Sequence, residues 1–244
     1  MRADDLPFLA CPNTGQALRL EGEASGAHGI ASGSLVTADG RLRYGVEGGI
    51  AHLVPEELPE ASRIQRDHYE RVSAPYLQAR ATLHFTSALW GSLDRMLLEA
   101  IGPVEGQAVA EVCCGAAGLL AASFPRAAHR VGVELSPAML AGAGDPEGVT
   151  LVCGDATRLP LRSGAFDLVV LHGGVHHVPD RDRLYSEIFR VLRPGGRVAF
   201  LEPLDDFVLW RMLRWLVYRF SPLLNADTER PLRSRETLRA MGRA

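Results

Sequence analysis

Residues 107–118 constrain this chain more than any other stretch. They read Gln-Ala-Val-Ala-Glu-Val-Cys-Cys-Gly-Ala-Ala-Gly and run on into Leu119-Leu120-Ala121-Ala122. Small and β-branched residues come first, then a turn of Cys, Gly and Ala, and good helix formers close the segment. That order predicts strand, tight loop and helix. A loop without bulk lets the backbone approach a ligand, and the amides at the next helix start point outward, so it can hold the polar end of a nucleotide-like molecule. Loops of this composition also occur as plain strand-to-helix turns, and the acids spaced along the next two strands give the signal its weight.

A second strand over residues 130–133 delivers Glu134 a little over twenty residues after Glu111, the spacing of an acid that receives ribose hydroxyls. A third strand over residues 149–153 delivers Gly154-Asp155-Ala156. Residues 165–171 form an apolar run with the character of a central strand buried on both faces, and they open into His172-Gly173-Gly174-Val175-His176-His177-Val178-Pro179-Asp180. A helix over 181–192, a turn at Arg193-Pro194-Gly195-Gly196 and a fifth strand over 197–201 complete the pattern. Alternating strand and helix predicts an α/β, doubly wound and mostly parallel sheet with helices on both faces, its strand ends gathered in one crevice.

Five segments carry a resemblance: AEVCCGAAG, GVELSPAML, CGDATRLPLRSGAFDLVV, GGVHHVPD and VLRPGGRVAFLEP, spread from Ala110 to Pro203. In order and spacing they resemble the class I S-adenosylmethionine-dependent methyltransferases. The variant is similar to the small-molecule enzymes of ubiquinone and menaquinone biosynthesis, where a Cys-Cys-Gly loop also occurs. The resemblance implies a Rossmann-like fold that binds S-adenosylmethionine and releases S-adenosylhomocysteine. It implies that Cys113, Gly115 and Ala117 wrap the methionine portion, with Glu111 near its amino group and His172 near the transferred methyl. Glu134 would hold the ribose, Leu135 would pack on the adenine, Asp155 would accept from its exocyclic amine, and Ala156 would offer a backbone amide to the ring.

Each residue also has a plainer reading. Glu111 can anchor its own loop, and Gly-Asp-Ala around Asp155 is good turn chemistry. Glu134 resists such a reading, because an acid at a strand end is costly if buried unpaired, and two ribose hydroxyls supply the donors it needs. The family usually has Gly where Ala117 stands, which puts a methyl group at a close approach. Relatives also continue into a final β-hairpin, whereas this sequence stops at Ala244. The expectation is therefore either a truncated product or a five-stranded sheet whose edge is covered by something else, such as a second subunit.

His172, His176 and His177 come after the fourth strand, where methyl and acceptor should meet, and His172 or His176 is a candidate for taking a proton from an acceptor hydroxyl. Sulfonium is already a strong electrophile, so alignment and desolvation can carry the transfer without a base. No carboxylate or further ligand is spaced to complete a three-His zinc site, and no metal is expected. Tyr69 and Tyr76, on helices ahead of the first core strand, are candidates for the acceptor pocket, together with His177 and Trp210. Residues 207–220 form an apolar helix with Arg211, Arg214 and Arg219 interspersed, readable as a lid, an oligomer interface or a membrane-surface helix.

The chain divides into a small β-rich segment over residues 1–57, a linker and helical cap over 58–103, and the cofactor-binding core over 104–244. The first segment resembles the zinc-ribbon-like activator domain of some methyltransferases through Leu9-Ala10-Cys11-Pro12 and residues 48–55. With Thr14 at the second ligand position, Cys11 alone cannot make a tetrahedral site. All 26 basic residues are arginine, which excludes a Walker lysine, a pyridoxal Schiff base and a lysine general base. A net charge of −3 gives no electrostatic footprint for nucleic acid. Four cysteines, three of them at strand ends, fit a reducing compartment, and no signal or spanning segment is visible, so a cytoplasmic protein is expected. The reading is a methyltransferase acting in line on a small aromatic or lipophilic acceptor, possible as a homodimer, without stable membrane insertion. The competing readings are an enzyme using the same cofactor for a rearrangement or cyclisation, and a non-catalytic cofactor-binding subunit.

Overall fold

Strands β5 (Ala108–Val112) and β7 (Thr150–Cys153) are buried at every position, β8 (Phe166–His172) at all but its last, and β6 (His129–Glu134) over Val131, Gly132 and Val133. Runs of valine, leucine and alanine with no polar alternation can be satisfied only where both sheet faces are covered, and here helices cover them. The computed structural model describes residues 1–26, 29–82, 84–209, 212 and 232–244. Among these, nine strands form one sheet in the order β1-β2-β3-β4-β7-β6-β5-β8-β9. The five strands β7, β6, β5, β8 and β9 (Leu192–Leu201) are parallel throughout. The chain moves outward from β5 through β6 to β7, then returns to β8 on the other side of β5. That reversal leaves the carboxyl ends of the two inner strands unobstructed, which is where open α/β sheets hold ligands.

Short helices link the core strands: α3 (Gly118–Ser123) after β5, α4 (Pro137–Ala141) after β6 and α5 (Arg181–Val191) after β8. Ser136 caps α4 by accepting from the Met139 amide at 3.2 Å, with Pro137 at its first turn, and Asp180 caps α5 through the Arg183 amide at 3.0 Å. The expected helix over 181–192 ends one residue early, because Leu192 already pairs with Phe166. The Arg-Pro-Gly-Gly stretch lies within β9 as a register shift, after which Leu168 pairs with Arg197. Proline lacks the amide that a regular ladder needs, so the irregularity falls there.

The five parallel core strands are those expected, and the sheet extends to nine among the described residues because the N-terminal segment joins it. Strands β1 (Leu18–Gly26), β2 (Gly29–Thr37), β3 (Arg43–Glu47) and β4 (Ile50–His52) form an antiparallel meander, and β4 then pairs in parallel with β7, Ala51 opposite Val152. Asp5 is fully buried beneath this junction, 2.6 Å from both His129 Nδ1 and the Thr150 hydroxyl. The Cys11 sulfur lies 3.2 Å from the Tyr44 hydroxyl, which also accepts from Asn13. No group of three or more His, Cys, Asp or Glu is placed to hold a metal among the described residues.

Two long helices precede the core strands: α1 (Glu60–Thr82) and α2 (His84–Ile101). Helix α1 packs on α4 so closely that a Cβ on Gly142 would lie 2.3 Å from Leu77 Cδ1. Among the described residues no helix is long and apolar enough to cross a membrane. Most of the expected helix over 207–220, including Trp210, lies outside the described residues, and Phe207, Val208 and Leu209 at its start are exposed.

Candidate functional site

The ends of β5, β6, β7 and β8, roofed by α1 and α2, enclose a cavity of about 440 Å³. Its base is the loop after β5, where Cys113, Gly115 and Ala117 have φ of 58°, 56° and 52°. Two of these three are not glycine, so the loop holds left-handed backbone against the ordinary preference of L-residues. Packing explains why it persists. Cys113 fills the space above Gly174, where a Cβ would lie 2.4 Å from its own Cβ, and Cys114 fills the space beside Gly132, where a Cβ would lie 2.9 Å from its sulfur. Burial pushes both thiols well above the ordinary thiol range, so they serve as small apolar fillers and not as nucleophiles.

Glu134, at the tip of β6, closes the loop from the other side. Its Oε2 accepts from the Gly115 amide at 3.1 Å, while Oε1 accepts from the amides of Leu135 at 2.8 Å and Ser136 at 2.9 Å. Burial nevertheless raises its pKa above the usual carboxylate value; the three amides oppose the rise, and Glu70 adds to it. Glu111 is buried inside the loop and accepts from the Leu120 amide at 3.1 Å, so it does anchor α3 while also facing the cavity.

Asp155 combines its two readings. Its Oδ1 accepts from the Thr157 amide at 2.7 Å and the Thr157 hydroxyl at 2.9 Å, which is turn capping. Its Oδ2 is buried in the cavity wall with no hydrogen-bond partner among the described residues. A buried carboxylate oxygen left without a donor is costly, and an amine-bearing ligand in the cavity would remove that cost.

The far end of the cavity is aromatic and imidazole-rich. Tyr69 and Tyr76 of α1 meet edge to face with centroids 6.0 Å apart, and the Tyr69 hydroxyl lies 2.9 Å from His177 Nε2. His172 Nε2 lies 3.1 Å from Asp94 Oδ1 of α2, and its ring is edge-on to Trp90 at 5.1 Å. Helix α1 is also fixed over the adjoining end, since the Glu70 carboxylate accepts from the Ser136 hydroxyl at 2.6 Å and the Ala138 amide at 3.0 Å.

The cavity thus brings together Glu111, Cys113, Gly115, Glu134, Leu135, Asp155, Ala156, His172, Tyr69, Tyr76 and His177. Two candidates fall outside its wall. Ala117 is fully buried beneath the loop, its left-handed conformation turning the methyl inward, while Gly118 takes a place on the wall. His176 turns to Glu202, its Nδ1 2.7 Å from Oε2, and Glu202 also accepts from the amides of Gly174 and Val175 at 2.7 Å each. The His176 side chain thus braces the loop from outside the cavity wall. Asp94, Ser62 and Gln65 line the cavity without having been singled out from sequence, because each sits on a helix whose spacing says nothing of which face is roofed by the crevice. Glu202 lies within a quoted motif, and its role as loop brace emerges only with its partners.

This sheet order, loop and pair of acids define the class I S-adenosylmethionine-dependent methyltransferase fold, and residues 110–200 match the family model described as a methyltransferase domain. Among curated proteins the chain is similar to the demethylmenaquinone methyltransferase of Thermobifida fusca, 34% identical over 139 residues that cover 50% of this chain and 58% of that one. The chain therefore spans less than two thirds of the curated relative's length. Among solved structures it is similar to a possible histamine N-methyltransferase from Thermotoga maritima, with a TM-score of 0.59 and 20% identity over 73% of this chain and 79% of that one. It is also similar to the (4+2) cyclase SpnF, with a TM-score of 0.61 and 19% identity over 76% and 72%. These two likenesses establish the fold alone, and proteins named for different chemistries share it.

Proposed function

We propose that the chain transfers a methyl group from S-adenosylmethionine to a small aromatic or lipophilic acceptor. The observation that carries this reading is Asp155 Oδ2, a buried acceptor atom facing the same cavity as Glu134. The adenosine's amine would satisfy Asp155, its ribose hydroxyls would meet Glu134, and Leu135 and Ala156 would bound the ring. The loop through Cys113 and Gly115, with Glu111 behind it, would hold the methionine end. When bound, S-adenosylmethionine supplies an electrophilic methyl on sulfur. The protein's share is to align the acceptor with that methyl and to keep water out. Tyr69, Tyr76 and His177 would form the acceptor wall, with His172 nearest the transfer. The curated relative's name supports a quinone-like acceptor, and the aromatic end of the cavity suits one.

The test has two arms. Calorimetry with S-adenosylhomocysteine is expected to show one site, and labelled methyl is expected to pass from S-adenosylmethionine to a member of a panel of naphthoquinols, phenols and aromatic amines. Absence of heat would remove the cofactor assignment, and binding without transfer to any panel member would leave a cofactor-binding subunit.

A further inference from the structure

We infer that Asp94 is a positioning residue that makes His172 the proton acceptor of the transfer, and that the acceptor therefore arrives uncharged and bearing a proton, as an aromatic hydroxyl does. The inference rests on the methyl-transfer reading above and specifies its acceptor end. Asp94 comes from α2, outside the matched region 110–200, and reaches into the cavity from the roof. Its Oδ1 stands 3.1 Å from His172 Nε2, at ion-pair distance but outside hydrogen-bond geometry, so the two act on each other through charge, while Trp90, four residues earlier and so on the same helix face, holds the imidazole edge-on. The His172 side chain is 5% exposed against 32% for Asp94, so the carboxylate retains contact with solvent while the ring is enclosed. A carboxylate beside an imidazole stabilises its cation, while enclosure of the ring works the other way, and the inference is that the carboxylate prevails.

The rest of the wall agrees with an uncharged acceptor. Among the described residues the lining contains the carboxylates of Asp94, Glu111, Glu134 and Asp155 and no arginine, and the chain has no lysine. A phosphate or carboxylate on the acceptor would meet these carboxylates with no protein cation in the described lining to pair with it. A hydroxyl on an aromatic ring meets Tyr69 and Tyr76 and gives up its proton to the His172–Asp94 pair. The electron pair of the acceptor then forms the new bond to the methyl carbon, the carbon–sulfur bond breaks with its electrons passing to sulfur, and the imidazolium is left beside Asp94. Among the described residues, the other titratable groups lining the cavity with His172 are Tyr69 and Tyr76 on α1, Glu111, Cys113 and Cys114 at the loop after β5, Glu134, Asp155 and His177, and beside its own turn stand His176 and Glu202, which holds the amides of that turn.

The test is Asp94→Asn, which keeps shape and removes charge. Histidine ring resonances are followed by NMR against pH, with His172→Gln to assign the signal. In Asp94→Asn the His172 midpoint is expected to fall by about one pH unit. With the panel member turned over best, the rate should rise with pH through that same midpoint, and in the variant the rise should move down with it, while kcat drops about tenfold or more and KM changes little. An unchanged His172 midpoint, or a rate profile that does not move with it, overturns the inference. Binding of S-adenosylhomocysteine is measured in parallel. If the wild type binds it and the His172 midpoint ignores Asp94, the inference alone fails; if the wild type does not bind it, the methyl-transfer reading fails first.

Discussion

Glu134 is held in the empty fold at a cost. Burial raises its pKa, so its charge opposes folding, even with three amides directed at it. A carboxyl whose folded value is raised favours folding while protonated and loses that advantage as pH rises through the raised value. The thermal midpoint of Glu134→Gln relative to the wild type should therefore rise as pH rises above about pH 4 in the ligand-free protein, as read by differential scanning fluorimetry. The same variant should bind S-adenosylhomocysteine more weakly by about 2 kcal/mol, about thirtyfold, through lost charge-assisted hydrogen bonds. Ala117 gives a second prediction. It is fully buried at φ 52°, so Ala117→Val adds bulk where a β-branched residue is least tolerated, and stability should fall by about 2 kcal/mol or more in denaturant titration. At this scale the sequence was informative about which residues reach the strand ends. Glu134 and Asp155 were legible because strand ends and spacing aim them at the crevice. The left-handed turn at Ala117 and the diversion of His176 to Glu202 were not, because neither conformation nor a partner 26 residues away is written in local sequence.

The elements that matter are the loops after β5 and β8 and the helix that closes over them. The two loops touch where Cys113 sits above Gly174, and glycine is required there for close approach and not for an unusual φ. Gly174→Ala should push the loops apart, lowering stability by about 2 kcal/mol and weakening S-adenosylhomocysteine binding in the same titrations. Helix α1 is tied to the tip of β6 by Glu70 and to the turn after β8 by Tyr69. Glu70→Ala should speed amide exchange along α1 while the core strands keep their protection, as measured by hydrogen exchange. The alternation of strands and helices made the core legible as elements. In strand β2, Gly29-Ile30-Ala31-Ser32-Gly33-Ser34 carries little β-propensity, and pairing with β1 and β3 supplies what propensity does not.

At the scale of the whole molecule, the N-terminal strands extend the parallel sheet at its β7 side, and Asp5 sits in the joint with His129 and Thr150. A β-rich pattern and a resemblance set residues 1–57 apart in the sequence, and a parallel pairing over three residues cannot be read from either. Asp5→Ala leaves buried donors without an acceptor and should destabilise by about 2 to 3 kcal/mol while unfolding remains a single transition in calorimetry. Two separate transitions would mean that the segments fold independently.

The account as a whole depends on Asp155 and Glu134 receiving one adenosine between them. The direct measurement compares S-adenosylhomocysteine with its deaminated analogue, S-inosylhomocysteine, which carries a carbonyl oxygen where the adenine has its amine. Asp155 Oδ2 should accept from the amine and repel the carbonyl, so titration calorimetry is predicted to show the adenosyl compound binding more tightly by about 2 kcal/mol, and Asp155→Asn is predicted to narrow that gap. Equal affinity of the wild-type protein for the two compounds would contradict it.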